Sequence, residues 1–223
     1  MTHGLPTSSE GTLSIAAADL ISPKLDMASA LAVGPGMGRS PDVVAIVARL
    51  WAETTIPSVF DADALWALGH VPTGDLARCG GLRIVTPHAG EMLRLMGRNP
   101  SGPEAHDRGF LAGLAREFAA ETGAVVVLKG AGTLVVGDAR EAVNETGNPG
   151  MATAGTGDVL SGVVAALLAQ GLDPFDAARL GAWVHGAAGD AAAAELGQVS
   201  MTARDLLDRL HVGFTLSATA RAK

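Results

Sequence analysis

Apolar positions in this chain follow two rhythms. Short continuous runs at Ala30-Leu31-Ala32-Val33, Pro57-Ser58-Val59-Phe60, Leu82-Arg83-Ile84-Val85 and Ala124-Val125-Val126-Val127-Leu128 predict strands covered on both faces. Between them the spacing turns helical. Ser40-Pro41, a cap hydroxyl followed by proline at the first helical position, opens a helix carrying Val43, Val44, Ile46, Val47 and Leu50. A short helix follows from Glu91 to Met96, and Asp107 caps a longer one bearing Phe110, Leu111, Leu114 and Phe118. Val159 to Ala169 forms another, Leu172-Asp173-Pro174 starts one that reaches Leu196, and Met201-Thr202-Ala203-Arg204-Asp205 caps a last one through Leu206, Leu207 and Leu210. Leu134-Val135-Val136, Gly137-Asp138 and Glu141-Ala142-Val143 predict a hairpin. The ends carry less pattern: residues 1–30 read as exposed loop with at most one strand or helix turn, 98–106 as irregular loop, and 217–223 as a frayed tail.

Strands alternating with helices predict one α/β domain over residues 1–223 with a mostly parallel sheet. In such a sheet the carboxyl ends of the strands line one edge, where ligands collect. The glycine-rich or polar turns at 34–38, 61–63, 86–91 and 129–133 all fall there and are expected to converge.

Composition narrows the partners. Hydrophobic residues make up 48% of the chain but aromatics only 4%, so few stacking platforms exist for bases or sugars. The net charge of -7 excludes a basic nucleic-acid face. Cys79 is the sole cysteine, which excludes an intrachain disulfide and a cysteine metal cluster. No signal peptide and no membrane-length apolar run is visible, so a soluble cytoplasmic protein is expected.

Candidate chemistry centres on Asn148-Pro149-Gly150-Met151-Ala152-Thr153-Ala154-Gly155-Thr156-Gly157-Asp158, small residues running directly into a helix. Glycine admits close approach to the main chain, and a helix start offers unpaired N–H groups, so Gly155, Thr156 and Gly157 read as an anion hole. Asp158 beside it is a first-turn dipole partner, a base that takes a proton from a nucleophile, or a residue that helps hold a metal. Lys129 ends a strand, and a buried ammonium needs an anion or solvent. Asp61 reads equally as a metal-facing or a helix-capping carboxylate, Asp63 rather as a cap, His88 as a ligand contact, and His185 as a core residue.

The motifs Gly34-Pro35-Gly36-Met37-Gly38, Asp61-Ala62-Asp63-Ala64-Leu65, Thr86-Pro87-His88-Ala89-Gly90-Glu91, Leu128-Lys129-Gly130-Ala131-Gly132-Thr133 and Asn148 to Asp158 resemble, in order, those of the ADP/ATP-dependent NAD(P)H-hydrate dehydratases. The resemblance implies a three-layer α/β/α ribokinase-like fold and repair of hydrated NADH or NADPH, with ADP as phosphoryl donor, magnesium, and AMP and phosphate as products. It implies that Gly36, His88 and Asp158 touch the hydrate, that Lys129, Gly130, Ala131, Gly132, Thr133 and Gly157 bind the nucleotide, and that the protein is a homo-oligomer, a tetramer by the family's habit. It implies no resident metal ligands.

Members of that family carry a further N-terminal segment, with a core strand and an alanine that meets the hydrate. The chain is therefore expected to be N-terminally truncated and to self-associate or dissolve poorly. Two rivals stand beside the dehydratase: a ribokinase-like kinase of a hydroxymethylpyrimidine or thiazole alcohol, and a non-catalytic nucleotide-binding remnant.

Overall fold

The computed structural model describes residues 2–137 and 139–220, with the side chains of 218–220 left aside. In chain order the elements are α1 (Ala17–Leu25), β1 (Leu31–Val33), α2 (Pro41–Glu53), β2 (Ser58–Phe60), α3 (Asp63–Leu68), α4 (Thr73–Leu76), β3 (Arg83–Val85), α5 (Ala89–Leu95), α6 (Arg108–Thr122), β4 (Val125–Leu128), β5 (Leu134–Gly137), β6 (Arg140–Val143), α7 (Thr156–Ala169), α8 (Pro174–Leu196), α9 (Ala203–Leu207) and α10 (Leu210–Ala220). The six strands form one sheet in chain order, β1 to β4 parallel and β4-β5-β6 antiparallel. The outer edge of β1 pairs with no other strand among the described residues.

The alternation of side chains along each strand builds the layers. Phe60, Val85, Val126 and Leu128 point to one face and pack with α2, α3, α5 and α6. Val59, Ile84, Val125 and Val127 point to the other, under α7 and α8. This is the expected three-layer α/β/α arrangement. Helix starts follow their caps: Ser40 accepts from Val43 N–H at 3.3 Å, Asp107 from Phe110 N–H at 3.0 Å and Asp173 from Asp176 N–H at 3.0 Å.

Several expectations need correction. Residues 17–25 form a full helix, because Ala17 and Ala18 bury against α2. The last helix is two, α9 and α10, and residues 217–220 continue α10 instead of fraying; 221–223 lie outside the described residues, as does Asp138 of the predicted hairpin turn. Phe110 lies on the exposed side of α6, at 38% exposure, while Leu111, Leu114 and Phe118 are buried. Arg83 is buried without a carboxylate. Its guanidinium donates to the carbonyls of Trp51 at 2.7 Å and of Thr54, capping the C-terminal end of α2.

Candidate active site

The predicted convergence at the strand ends is present and has a physical centre, the carboxylate of Asp61. Asp61 is 1% exposed at the end of β2. One oxygen receives Lys129 Nζ at 2.8 Å from the end of β4, and the other receives Ser161 Oγ at 2.6 Å from the second turn of α7. Glu91, on α5, stands 3.6 Å from the same ammonium. Lys129 thus meets an anion as expected, but the anion is the protein's own pair of carboxylates. Asp61 caps no helix with its side chain. Asp63, expected as a cap, instead accepts from Gly38 N–H at 3.0 Å and Arg39 Nε at 3.1 Å, pinning the 34–38 turn. Ala62 between them has φ 49° and ψ -118°, a strained turn that sends one carboxylate inward and the other toward the glycines.

Gly34 is required by contact: a Cβ there would lie 1.8 Å from the carbonyl oxygen of Asp61. Gly36 has φ 73° and open space where its Cβ would be, leaving its backbone accessible. Loop 129–133 is held from α6. Arg108 donates to the carbonyls of Lys129 at 3.2 Å and Gly132 at 2.9 Å, Lys129 N–H donates to Pro87 O at 2.8 Å, and Thr133 Oγ1 donates to Gly130 O at 3.0 Å. Ala131 sits exposed at the tip of that loop.

His88 is the N-cap of α5. Its Nδ1 accepts from Gly90 N–H at 3.1 Å and Glu91 N–H at 3.3 Å, which requires a lone pair there and leaves the proton on Nε2, 3.5 Å from Glu91 Oε1. Desolvation of the ring's inner side lowers its pKa, the Glu91 charge opposes, and Lys129 adds to the lowering. The ring thus presents its donor at Nε2, on the side of the Glu91 carboxylate.

The start of α7 differs from the capped helices. Its N-cap is Gly155, at φ 89°, with no side-chain cap. Among the described residues the backbone N–H groups of Ala154, Gly155, Gly157 and Asp158 have no protein partner. Thr156 departs from the expected anion hole. Its hydroxyl donates to the carbonyls of Met151 at 2.8 Å and Thr153 at 2.9 Å, and its N–H leans on Thr153 O at 3.4 Å, so it closes the loop. A Cβ at Gly157 would lie 3.5 Å from Lys129 Nζ, which sets the ammonium directly under this cradle. Asp158 is exposed and has no hydrogen bond or ion pair among the described residues.

Sequence reading missed Ser161 and Arg108, which touch the site from distant parts of the chain, and placed Glu91 in the converging 86–91 turn without a role of its own. His185 on α8 is buried as expected and also supports the cradle, its Nε2 lying 2.8 Å from Thr156 O. A cleft of about 740 Å³ at the opposite end of the sheet, floored by Val125, Val136 and Phe175, already has its arginines paired, Arg116 with Glu141 and Arg140 with Asp173.

Comparison with known proteins places the chain in a family. The family profile described as NAD(P)H-hydrate dehydratase matches residues 1–211. The chain belongs to that family. Within the NAD(P)H-hydrate dehydratase family, it is 47% identical over 214 residues to the bifunctional NAD(P)H-hydrate repair enzyme of Moorella thermoacetica, a match covering 94% of this chain and 39% of that one. It is 43% identical to the ADP-dependent (S)-NAD(P)H-hydrate dehydratase of Neisseria meningitidis, over 86% of this chain and 67% of that protein. Among solved structures, the ADP/ATP-dependent NAD(P)H-hydrate dehydratase of Bacillus subtilis, co-crystallised with ATP and Mg2+, superposes with a TM-score of 0.71 at 30% identity, covering 86% of this chain and 70% of its own. The fold is ribokinase-like. The chain thus spans well under half the length of the bifunctional repair enzymes and about two thirds of the single-activity ones.

Proposed function

We propose that this family member is an ADP-dependent (S)-NAD(P)H-hydrate dehydratase, acting on NADH or NADPH hydrate as a single catalytic unit. The observation that carries the reading is the set of N–H groups of Ala154, Gly155, Gly157 and Asp158, unpartnered among the described residues, set over Lys129 and next to the Asp158 carboxylate, which has no partner among them either. In this reading Gly36, His88 and Asp158 hold the hydrate, and Lys129, Gly130, Ala131, Gly132, Thr133 and Gly157 hold the nucleotide.

Hydroxide is a poor leaving group, and phosphorylation converts it into a good one. Asp158 accepts the proton of the ring hydroxyl as that oxygen attacks the terminal phosphorus of ADP. The bond to the bridging oxygen breaks, and AMP leaves with the electron pair. The N–H groups of Gly155 and Gly157 and the Lys129 ammonium stabilise charge on the phosphoryl oxygens. The ring nitrogen's lone pair then expels phosphate with its oxygen, and loss of the neighbouring ring proton to solvent restores the double bond.

No group of three His, Cys, Asp or Glu gathers at one point among the described residues. That donor set fits a magnesium ion held chiefly by the nucleotide's own phosphates, with Glu91, 3.6 Å from Lys129 Nζ, as a nearby carboxylate. When bound, the ion supplies charge neutralisation on the phosphoryl group.

No helix among the described residues is long and apolar enough to cross a membrane. The open edge of β1 supports self-association, with a tetramer as the reading to test by sedimentation; a monodisperse monomer overturns it. The activity is tested by mixing the chain with NADH hydrate, magnesium and either ADP or ATP. Return of the dihydronicotinamide absorbance with AMP release supports the reading and names the donor. A stable phosphoester product would make the chain a kinase, and nucleotide binding without turnover would make it a remnant.

A further inference from the structure

The unpartnered N–H groups are only as well placed as the loop that carries them, and that loop is fastened to α8. Asn144 Nδ2 donates to Ala182 O at 3.3 Å and Thr146 Oγ1 to Trp183 O at 2.9 Å. Glycines let the loop lie against the helix: a Cβ at Gly186 would fall 2.2 Å from Thr146 Oγ1, and one at Gly189 would fall 2.3 Å from Met151 Sδ. One turn beyond Gly186, both oxygens of Asp190 are spent on the loop. Gly147 N–H donates to Oδ2 at 2.8 Å, and Asn148 Nδ2 donates to Oδ1 at 2.9 Å. Asn148 relays the hold through its own Oδ1, which accepts from Gly150 N–H at 3.0 Å in the turn leading to residues 154–158.

We propose that Asp190 is a positioning residue for phosphoryl transfer. It touches neither substrate nor nucleotide. By fixing Gly147 and Asn148, it sets the N–H groups of residues 154–158 where charge develops on the transferred phosphoryl, a placement on which such catalysis depends to within a fraction of an ångström. The inference rests on the dehydratase reading.

The hydrogen-bond inventory supplies a test. Asp190→Asn turns an amide toward the Asn148 amide, donor against donor, or else gives up Gly147. Asn148→Asp sets two carboxylates face to face. The exchanged pair, Asn148→Asp with Asp190→Asn, is complete again. The amide at 190 donates to the carboxylate at 148, its oxygen accepts from Gly147 N–H, and the second carboxylate oxygen accepts from Gly150 N–H.

Two quantities are read on the full chain: kcat, and the ratio of ADP to AMP affinity by calorimetry, which isolates the terminal phosphate. Each single variant is expected to lose about 10²-fold in kcat and about tenfold in the affinity ratio, and the exchanged pair is expected to regain most of both. A contact that served stability alone would lower the melting temperature of the single variants and leave the affinity ratio unmoved. That result overturns the proposal, as does an exchanged pair that stays as impaired as the singles. A wild-type chain with no preference for ADP over AMP defeats the dehydratase reading itself, and the positioning role with it.

Discussion

Lys129 Nζ and Asp61 Oδ1, 68 residues apart in sequence, meet at 2.8 Å and join the ends of β4 and β2 beneath the start of α7. The pair is asymmetric, since Lys129 keeps 22% of its side chain exposed and Asp61 only 2%. Removing the lysine strands a buried carboxylate, whereas removing the carboxylate leaves an ammonium that turns to Glu91 or water. Lys129→Met is therefore expected to destabilise the fold by about 3–5 kcal/mol, and Asp61→Asn by clearly less. Urea unfolding of both variants checks the order, and the reverse order would refute the account.

Ala62 occupies a backbone conformation that suits glycine. Ala62→Gly is expected to release strain of about 1–3 kcal/mol against an entropic cost of about 0.5–1 kcal/mol, a net gain of stability visible as a higher urea midpoint.

Two glycines at the site predict opposite outcomes. Gly34→Ala drives a methyl group into the Asp61 carbonyl and should leave little folded protein. Gly157→Ala makes only ordinary contacts and lies in the first turn of α7, so the variant should fold with unchanged or higher melting temperature. Its methyl group nevertheless crowds the cradle, and turnover should fall about tenfold or more; equal activity in kinetic assays would mean that no phosphoryl group sits there.

Asp158→Asn removes the proposed base and leaves the loop contacts intact. Turnover should drop by about 10²–10⁴-fold, with AMP affinity by calorimetry close to that of the parent.

Burial lowers the pKa of His185 from 6.5 to about 4, the hydrogen bond with Thr156 O opposing and the Lys129 charge adding to the shift. The unfolded chain therefore binds a proton that the folded chain refuses. This stability is complete above pH 6.5 and drains away as pH falls toward 4, by up to about 3 kcal/mol. Denaturant titrations across that window should show the loss, and His185→Gln should flatten it.

The layers, the strand ends and the uncapped helix start are legible in the sequence because they rest on local patterns: short apolar runs at β2 and β4, glycine at 155, a cap at 40 or 107. The roles of Asp61 and Asp63 are not. Both stand at the end of one strand with the same chemistry, and what separates them is the turn at Ala62 and partners as distant as Ser161, 100 residues on. Thr156 misleads for a related reason, since its hydroxyl finds carbonyls within its own loop that only the folded turn brings round. The division between α9 and α10 escapes because their leucines continue one helical spacing across the break.

The strands are laid down in the sheet in the order in which they are synthesised, so the sheet and the face covered by α2, α3, α5 and α6 need nothing beyond Val143. The other face waits for α7 and α8. A growing chain thus presents Val59, Ile84, Val125 and Val127 uncovered until its last third emerges, an interval in which it is sticky and still lacks the proposed phosphate cradle. The loop that would form it comes to rest only when Asp190 has left the ribosome.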